Sequence, residues 1–347
     1  MTRNVVHVGS AIRAALILGV LAAAPGVGAL PTLKVGYSAG GGSHLTILAQ
    51  DQKLFQKEGI QVELVPFSSS ADGLNALNAG KIDLGVSFGT GAPLTFISKG
   101  ADFVVIGGHL SGGHPVITLP ANASRFRSIQ DFKGKTVATA RLYTPDIVWR
   151  GAMRKAGLDL EKDVRIVELK NPSAVLEAVK AGKADVGIGA ASIYVPAKQS
   201  GLAIVAWSND FFPGHPCCRV VAKSRALKED ARPYRAFLKA LIEAERLLST
   251  QPELAVAANK KFLDLDDRLA RDFTLEPHAH VAADPNRNGV RRMWQEMKAI
   301  GYVQSDLDID RFINVDLYRE ALSELVRQNP ADAYYEQLVK TFEAQNR

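Results

Sequence analysis

Two histidine–proline steps, a pair of adjacent cysteines and four short loops of small polar residues carry most of the chemistry available to this chain. The loops are Gly40-Gly41-Gly42-Ser43-His44, Ser68-Ser69-Ser70, Phe88-Gly89-Thr90-Gly91 and Arg141-Leu142-Tyr143-Thr144. Each follows an apolar strand-like run and opens a helical one. The first turn of a helix leaves N–H groups unpaired and carries about half a positive charge. Several such ends on one cleft favour an anion such as a sulfonate, nitrate or carboxylate. Gly41 and Gly91 allow close backbone approach, Ser43 and Ser69 suit capping, and Thr90 and Thr144 offer hydroxyls. His44 lies at the first helix start. Each loop also reads as an ordinary turn and cap. Arg141 would be the direct charge partner of an oxyanion, or else one half of a surface ion pair. Tyr37, Phe88, Tyr143, Tyr194 and Trp207 could stack on an unsaturated ligand or belong to the core.

Gly113-His114-Pro115 is echoed by Gly214-His215-Pro216, and the second copy runs into Cys217-Cys218. If these segments pair, His114 and His215 come near each other and near the thiols, and either could touch a ligand. Adjacent Cα atoms lie about 3.8 Å apart, below the usual disulfide span. A strained vicinal ring, a zinc or copper site, and one buried thiol packed as a small hydrophobe are the three readings open for the pair. His278-Ala279-His280 falls in a polar stretch and is expected in solvent.

What must position these residues is legible from a repeat. Ala79-Gly80-Lys81-Ile82-Asp83-Leu84-Gly85 returns as Ala181-Gly182-Lys183-Ala184-Asp185-Val186-Gly187. In each copy a helical stretch stops on glycine, lysine sits near the helix's negative end, and an apolar strand follows. The phrase is scaffolding and implies two similar lobes. Strands are expected at 33–37, 60–67, 84–86 and 103–106 in the first, and at 135–139, 164–169, 184–188 and 202–207 in the second. Helices between them, the first spanning 44–57, give an α/β fold with mostly parallel, doubly wound sheets. The His-Pro steps fall where one pattern ends and the other begins, and are expected to be a two-segment hinge. Residues 30–114 and 217–347 then form lobe I with mainly helical C-terminal additions, and 115–216 form lobe II.

Arg3, Arg13, the apolar run 14–24 and the small residues before position 30 read as a secretory signal peptide, 1–29, cleaved after Ala29. Its removal takes the formal net charge from +6 to +4. Beyond it nothing approaches the roughly 20 unbroken apolar residues of a membrane span. The basic residues are scattered among acids, which argues against a nucleic-acid surface. No nucleophile elbow, phosphate-loop lysine or regular metal spacing marks an enzyme.

Val35-Gly36-Tyr37, Leu54-Phe55-Gln56-Lys57-Glu58-Gly59-Ile60, the first repeat phrase and Met153-Arg154-Lys155-Ala156-Gly157-Leu158 resemble ABC-transporter solute-binding proteins of the nitrate/taurine/sulfonate type. That group also includes proteins for thiamine-pyrimidine precursors. The resemblance spans nearly the whole mature chain and marks the ligand poorly. It implies a type II periplasmic-binding-protein fold that closes on a small solute without catalysis or cofactor. It also implies a monomer in the periplasm that delivers its ligand to a membrane permease with a cytoplasmic ATPase. An exported ligand sensor, or an enzyme related to the pyrimidine-synthesising members of the fold, are the alternatives.

Overall fold

The computed structural model describes residues 1–2, 30–38 and 44–347. The signal-peptide stretch and the glycine loop with Gly41 and Ser43 lie outside the described residues. Pro31–Arg347 is one compact unit.

Two sheets organise it. The strands are β1 (Thr32–Ser38), β2 (Gln61–Phe67), β3 (Leu84–Gly85), β4 (Phe103–Gly112), β5 (Pro115–Thr118), β6 (Thr136–Ala140), β7 (Arg165–Leu169), β8 (Val186–Ile188), β9 (Ala203–Trp207), β10 (Pro216–Lys223) and β11 (Ala279–His280). The first sheet has the order β11-β4-β10-β3-β1-β2, the second β7-β6-β8-β5-β9. Pairing is parallel within β2-β1-β3 and β7-β6-β8, but β10, β4 and β11 run antiparallel in one sheet, as β5 and β9 do in the other. The sheets are therefore mixed rather than mostly parallel. The cause is the crossings: the chain leaves the first sheet at Gly113–His114 and re-enters it at Pro216, and each crossing strand arrives against the local direction.

The six helices that bear on the site are α1 (His44–Asp51), α2 (Leu54–Lys57), α3 (Ser70–Asn78), α4 (Gly91–Ser98), α5 (Thr144–Lys155) and α6 (Pro172–Lys180). The single helix expected over 44–57 is broken, because Lys53 takes a left-handed φ of 57° between α1 and α2. The C-terminal third is helical, with its longest member at Arg232–Thr250.

The repeated phrase has a physical explanation in both sheets. Gly80 (φ 71°) and Gly182 (φ 66°) are left-handed, and the next N–H reaches back to close the helix end (Lys81 to Ala76 O, Lys183 to Ala178 O). The aspartate then clamps the neighbouring strand. The Asp83 carboxylate accepts from Lys34 N–H at 2.8 Å, and Asp185 accepts from Thr136 N–H at 2.7 Å. The same aspartates return one backbone bond each, Asp83 N–H to the Lys34 carbonyl at 2.8 Å and Asp185 N–H to the Thr136 carbonyl at 2.9 Å, and so fix the register of β3 on β1 and of β8 on β6.

One large core covers the first sheet and its helices, and two smaller clusters cover the faces of the second. Ile147 and Val148 of α5 belong to the large core although α5 follows a strand of the second sheet. The start of α5 is thus driven into the first half by apolar burial, worth about 1.5–3 kcal/mol per such side chain.

Candidate functional site

Helices α3 and α4 follow strands of the first sheet and α5 follows a strand of the second, and the residues at their starts bond to one another. Ser70 N–H at the start of α3 donates to Tyr143 Oη at 3.2 Å. Thr90 N–H, before α4, donates to Thr144 Oγ1 at 3.1 Å. The Thr144 hydroxyl in turn donates to the Cys217 carbonyl at 3.2 Å, and the Thr90 hydroxyl reaches the same oxygen at 2.7 Å. Hydroxyls from the start of α5 therefore occupy N–H groups that a helix N-terminus would present to an anion. Gly91 permits this approach: a Cβ there would fall 2.1 Å from Ile147 Cδ1 and 2.9 Å from the Leu142 carbonyl. Leu142 itself has a φ of 69°, an uncommon conformation for a bulky residue, and its N–H is held by Asp146 at 3.2 Å.

Beside these contacts is a small cavity, about 30 Å³ counted as positions open to a water centre, which suits about two waters. Its lining is Ser38, Ser87, Gly89, His114, Tyr143, Thr144, Pro145, Ala190, Ala191, Ser192, Cys217 and Cys218. Among the described residues that line it, none bears a formal charge. His114 is buried, and its Nδ1 accepts from Ala191 N–H at 3.0 Å. That bond puts the ring proton on Nε2, where the N–H is buried and has no partner among the described residues. Burial, reinforced by nearby His215, holds the His114 pKa well below its ordinary value, so the ring is neutral. His215 lies behind it, with ring centroids 5.7 Å apart. Its Nδ1–H donates to the Phe212 carbonyl at 2.7 Å, which leaves Nε2 as an acceptor without a partner among the described residues. A buried donor and a buried acceptor thus stand together at the crossing segments.

His114, Tyr143 and Thr144 line the cavity, and the lining adds Cys217 and Cys218. Thr90 and Gly91 adjoin it through the bonds above, and His215 adjoins it through His114. Arg141 does not line it. Its guanidinium bonds Glu168 at 2.9 Å and lies 4.5 Å from the ring centre of Tyr302. His44 is buried, holds Asn259 at 2.9 Å and packs on Phe273. Ser69 caps α3 by accepting from Asp72 N–H at 3.1 Å. Phe88 packs edge-on to Phe67 in the core. His280 is exposed, as expected, whereas His278 is only half-exposed: it bonds Glu276 at 2.6 Å and stacks on Trp207 at 4.5 Å, because β11 pairs with β4 and draws this stretch onto the fold. Among the described residues no group of three or more His, Cys, Asp or Glu is placed to hold a metal ion.

Sequence reasoning missed a latch beside the cavity. Tyr302 Oη donates to Asp146 Oδ2 at 2.5 Å, and Asp146 also takes Arg150 Nε at 2.8 Å and the Thr139 hydroxyl at 2.9 Å. Lys155 and Arg154 at the far end of α5 pair with Glu296 at 2.5 and 3.4 Å. These bonds join α5 to the C-terminal helical region. Asp146 and Arg150 stand four apart on one helix face, a visible signal; Tyr302 gave none.

The sequence profile of the NMT1-like family matches residues 28–261, well over half of the chain. The chain belongs to the NMT1-like family. Solved structures similar to this NMT1-like chain have the periplasmic-binding-protein fold. The periplasmic aliphatic sulphonate binding protein SsuA of Escherichia coli is 23% identical with a TM-score of 0.69, covering 83% of this chain and 99% of that one. The periplasmic nitrate-binding protein NrtA of Synechocystis PCC 6803 is 16% identical with a TM-score of 0.73, covering 88% and 91%. In sequence, a Brucella abortus (strain 2308) chain provisionally named a binding protein is 26% identical over 302 residues, 82% of this chain and 91% of its own length. Among the described residues, no helix of this NMT1-like protein is long and apolar enough to cross a membrane.

Proposed function

We propose that this protein is the extracytoplasmic solute-binding component of an ABC importer, and that it captures a small oxyanion-bearing solute between its two sheets. The observation that carries the reading is the buried Nε2–H of His114, without a partner among the described residues, in a largely apolar cavity whose described lining carries no formal charge. Such a site holds an anion by dipoles: the His114 N–H, the Tyr143 and Thr144 hydroxyls, and the amides at the starts of α3 and α4. A sulfonate or nitrate fits that chemistry; a heterocycle with ring acceptors is the second fit. Gly113–His114 and the return through His215–Pro216 act as the hinge, so 30–114 with 217–347 and 115–216 move as lobes. Opening breaks the Ser70–Tyr143 and Thr90–Thr144 bonds, and the ligand's oxygens replace the hydroxyls on closure. The protein binds without catalysis, is exported by its N-terminal leader and works as a monomer with a permease and its ATPase.

Thermal unfolding of the mature protein with methanesulfonate, taurine, nitrate, benzoate and a pyrimidine tests the reading. At 100 times Kd a ligand stabilises by about 2.7 kcal/mol, a rise of several degrees in Tm. A single responding class identifies the ligand. No rise with any member removes the binding reading.

A further inference from the structure

Cys217 and Cys218 are placed as no regular strand would place them. Successive strand side chains point to opposite faces, yet both cysteines line the same cavity, with their sulfurs 3.0 Å apart. The cause is a double irregularity in β10, whose register on β4 shifts between Pro216 and Cys218 and again between Cys218 and Arg219. Bulges of this kind re-aim side chains at sites. Both thiols are free and buried. Their peptide is also a junction, because the Cys217 carbonyl accepts from Thr90 and from Thr144, which stand at helix starts that follow strands of the first and the second sheet.

We propose that Cys217 and Cys218 form a reversible dithiol–disulfide couple in the wall of the cavity, oxidised by an exported protein disulfide or by oxidised glutathione when the cleft is open. Cys218 is the attacking group. Its thiol is shifted down by the hydrogen bond from Cys217, helped by the Gly89 N–H and the Arg219 guanidinium, whereas burial shifts Cys217 well up. The Cys218 thiolate attacks one sulfur of the donor disulfide, forms a mixed disulfide and expels one donor thiolate. Cys217 then loses its proton, attacks Cys218 Sγ and expels the second. Two thiols of the chain are oxidised, the donor disulfide is reduced to two thiols, and the two protons pass to the expelled thiolates. The sulfurs must close from 3.0 Å to a bond of about 2.05 Å. The ring so formed joins Cα atoms below the usual disulfide span, which strains it and makes it easy to reduce. The pair is therefore a couple rather than a permanent staple. Because its ring includes the Cys217–Cys218 peptide, oxidation stiffens the carbonyl on which both threonines converge.

The chain has only two cysteines, so counting alkyl groups reads the state directly. Native mature protein is equilibrated over a series of reduced-to-oxidised glutathione ratios, quenched in acid, denatured in iodoacetamide and weighed intact. The expected result is two alkyl groups at the reducing end and none at the oxidising end, with no glutathione attached and no covalent dimer. Cys217→Ser should instead carry one glutathione at the oxidising end, and Cys218→Ser, which keeps only the thiol that burial shifts up, should take up glutathione far more slowly. Two alkyl groups at every ratio, two bound glutathiones, or a disulfide-linked dimer of the unmutated protein would each overturn the proposal.

Discussion

Acidification from pH 6.5 to 5 should remove about 5 kcal/mol from the stability of this fold. Burial lowers the pKa of four histidines: His44 to about 4, His109 to about 3, His215 to about 4, and His114 well below the ordinary 6.5. A lowered folded value means that the unfolded chain takes up protons first as pH falls through 6.5. Stability is therefore complete above 6.5 and is lost below it, down to the folded values near 4 and 3. Buried Glu245 works against this, since burial pushes it up to about 7 and the native state holds its proton where the unfolded chain does not. Asp284, also raised by burial, adds to that opposition at the acid end. Near pH 5.5 the unfolded state binds about 2.7 more protons than the native state, a slope of about 3.7 kcal/mol per pH unit. A loss of that size rivals the whole stability of many domains. Urea unfolding followed by tryptophan fluorescence at half-unit pH steps measures it directly. His44→Gln should lower the slope by about 1.4 kcal/mol per pH unit. Stability constant to within about 1 kcal/mol over this range would refute the assignment of four neutral buried rings.

Asn can keep the Nδ1-type acceptor of His114 but lacks the Nε2–H donor, whereas Gln does the reverse. His114→Asn should therefore leave Tm nearly unchanged and weaken anion binding about 10- to 100-fold, while His114→Gln orphans the Ala191 N–H and costs about 1–3 kcal/mol in unfolding experiments; equal effects of the two would contradict the tautomer. Tyr302→Phe removes the hydroxyl from Asp146, which keeps its other partners, so a loss of about 1–2 kcal/mol and faster amide exchange in α5 are expected. Arg141→Ala should change calorimetric affinity for an anion less than threefold, because its partner is the half-exposed Glu168; a tenfold loss would bring Arg141 into the site.

The repeat phrase was legible because a helix stop needs glycine and a strand entry needs apolar residues, both local demands. The same phrase hid its most specific member, since the Asp83 and Asp185 clamps act on Lys34 and Thr136, 49 residues away in each case. Sheet direction was misread for a similar reason: strand alternation reports faces, not polarity, and β10 pairs with β4 more than a hundred residues upstream. His114, Tyr143 and Thr144 were accessible from helix-start and Pro-step chemistry. Arg141 was assigned by charge alone, and charge says nothing about Glu168 or Tyr302, which reach it from other elements. The shared side of Cys217 and Cys218 was beyond pattern reading because it depends on a bulge.

Helix-start amides that already bond to hydroxyls of the same chain set a condition on what can bind there. Neutral hydrogen bonds contribute about 0.5–1.5 kcal/mol each, and those to a charged group about 1.5–3. A neutral solute that takes the Ser70 and Thr90 amides from Tyr143 and Thr144 therefore exchanges like for like and gains little. An anion gains about 1–3 kcal/mol over the two exchanges, and more once the idle His114 Nε2–H is engaged. With no cation in the described lining to repel a second positive group or attract any anion at long range, selection rests on geometry at short range. The cavity of about 30 Å³ must widen for any solute larger than a few atoms. In the proposed binding mode a larger solute must displace some of these contacts, and the bonds of α5 to Tyr302 and Glu296 oppose that displacement. Loosening that latch should relax selectivity for ligand size before it abolishes binding, an order of effects that a rigid preformed pocket would not give.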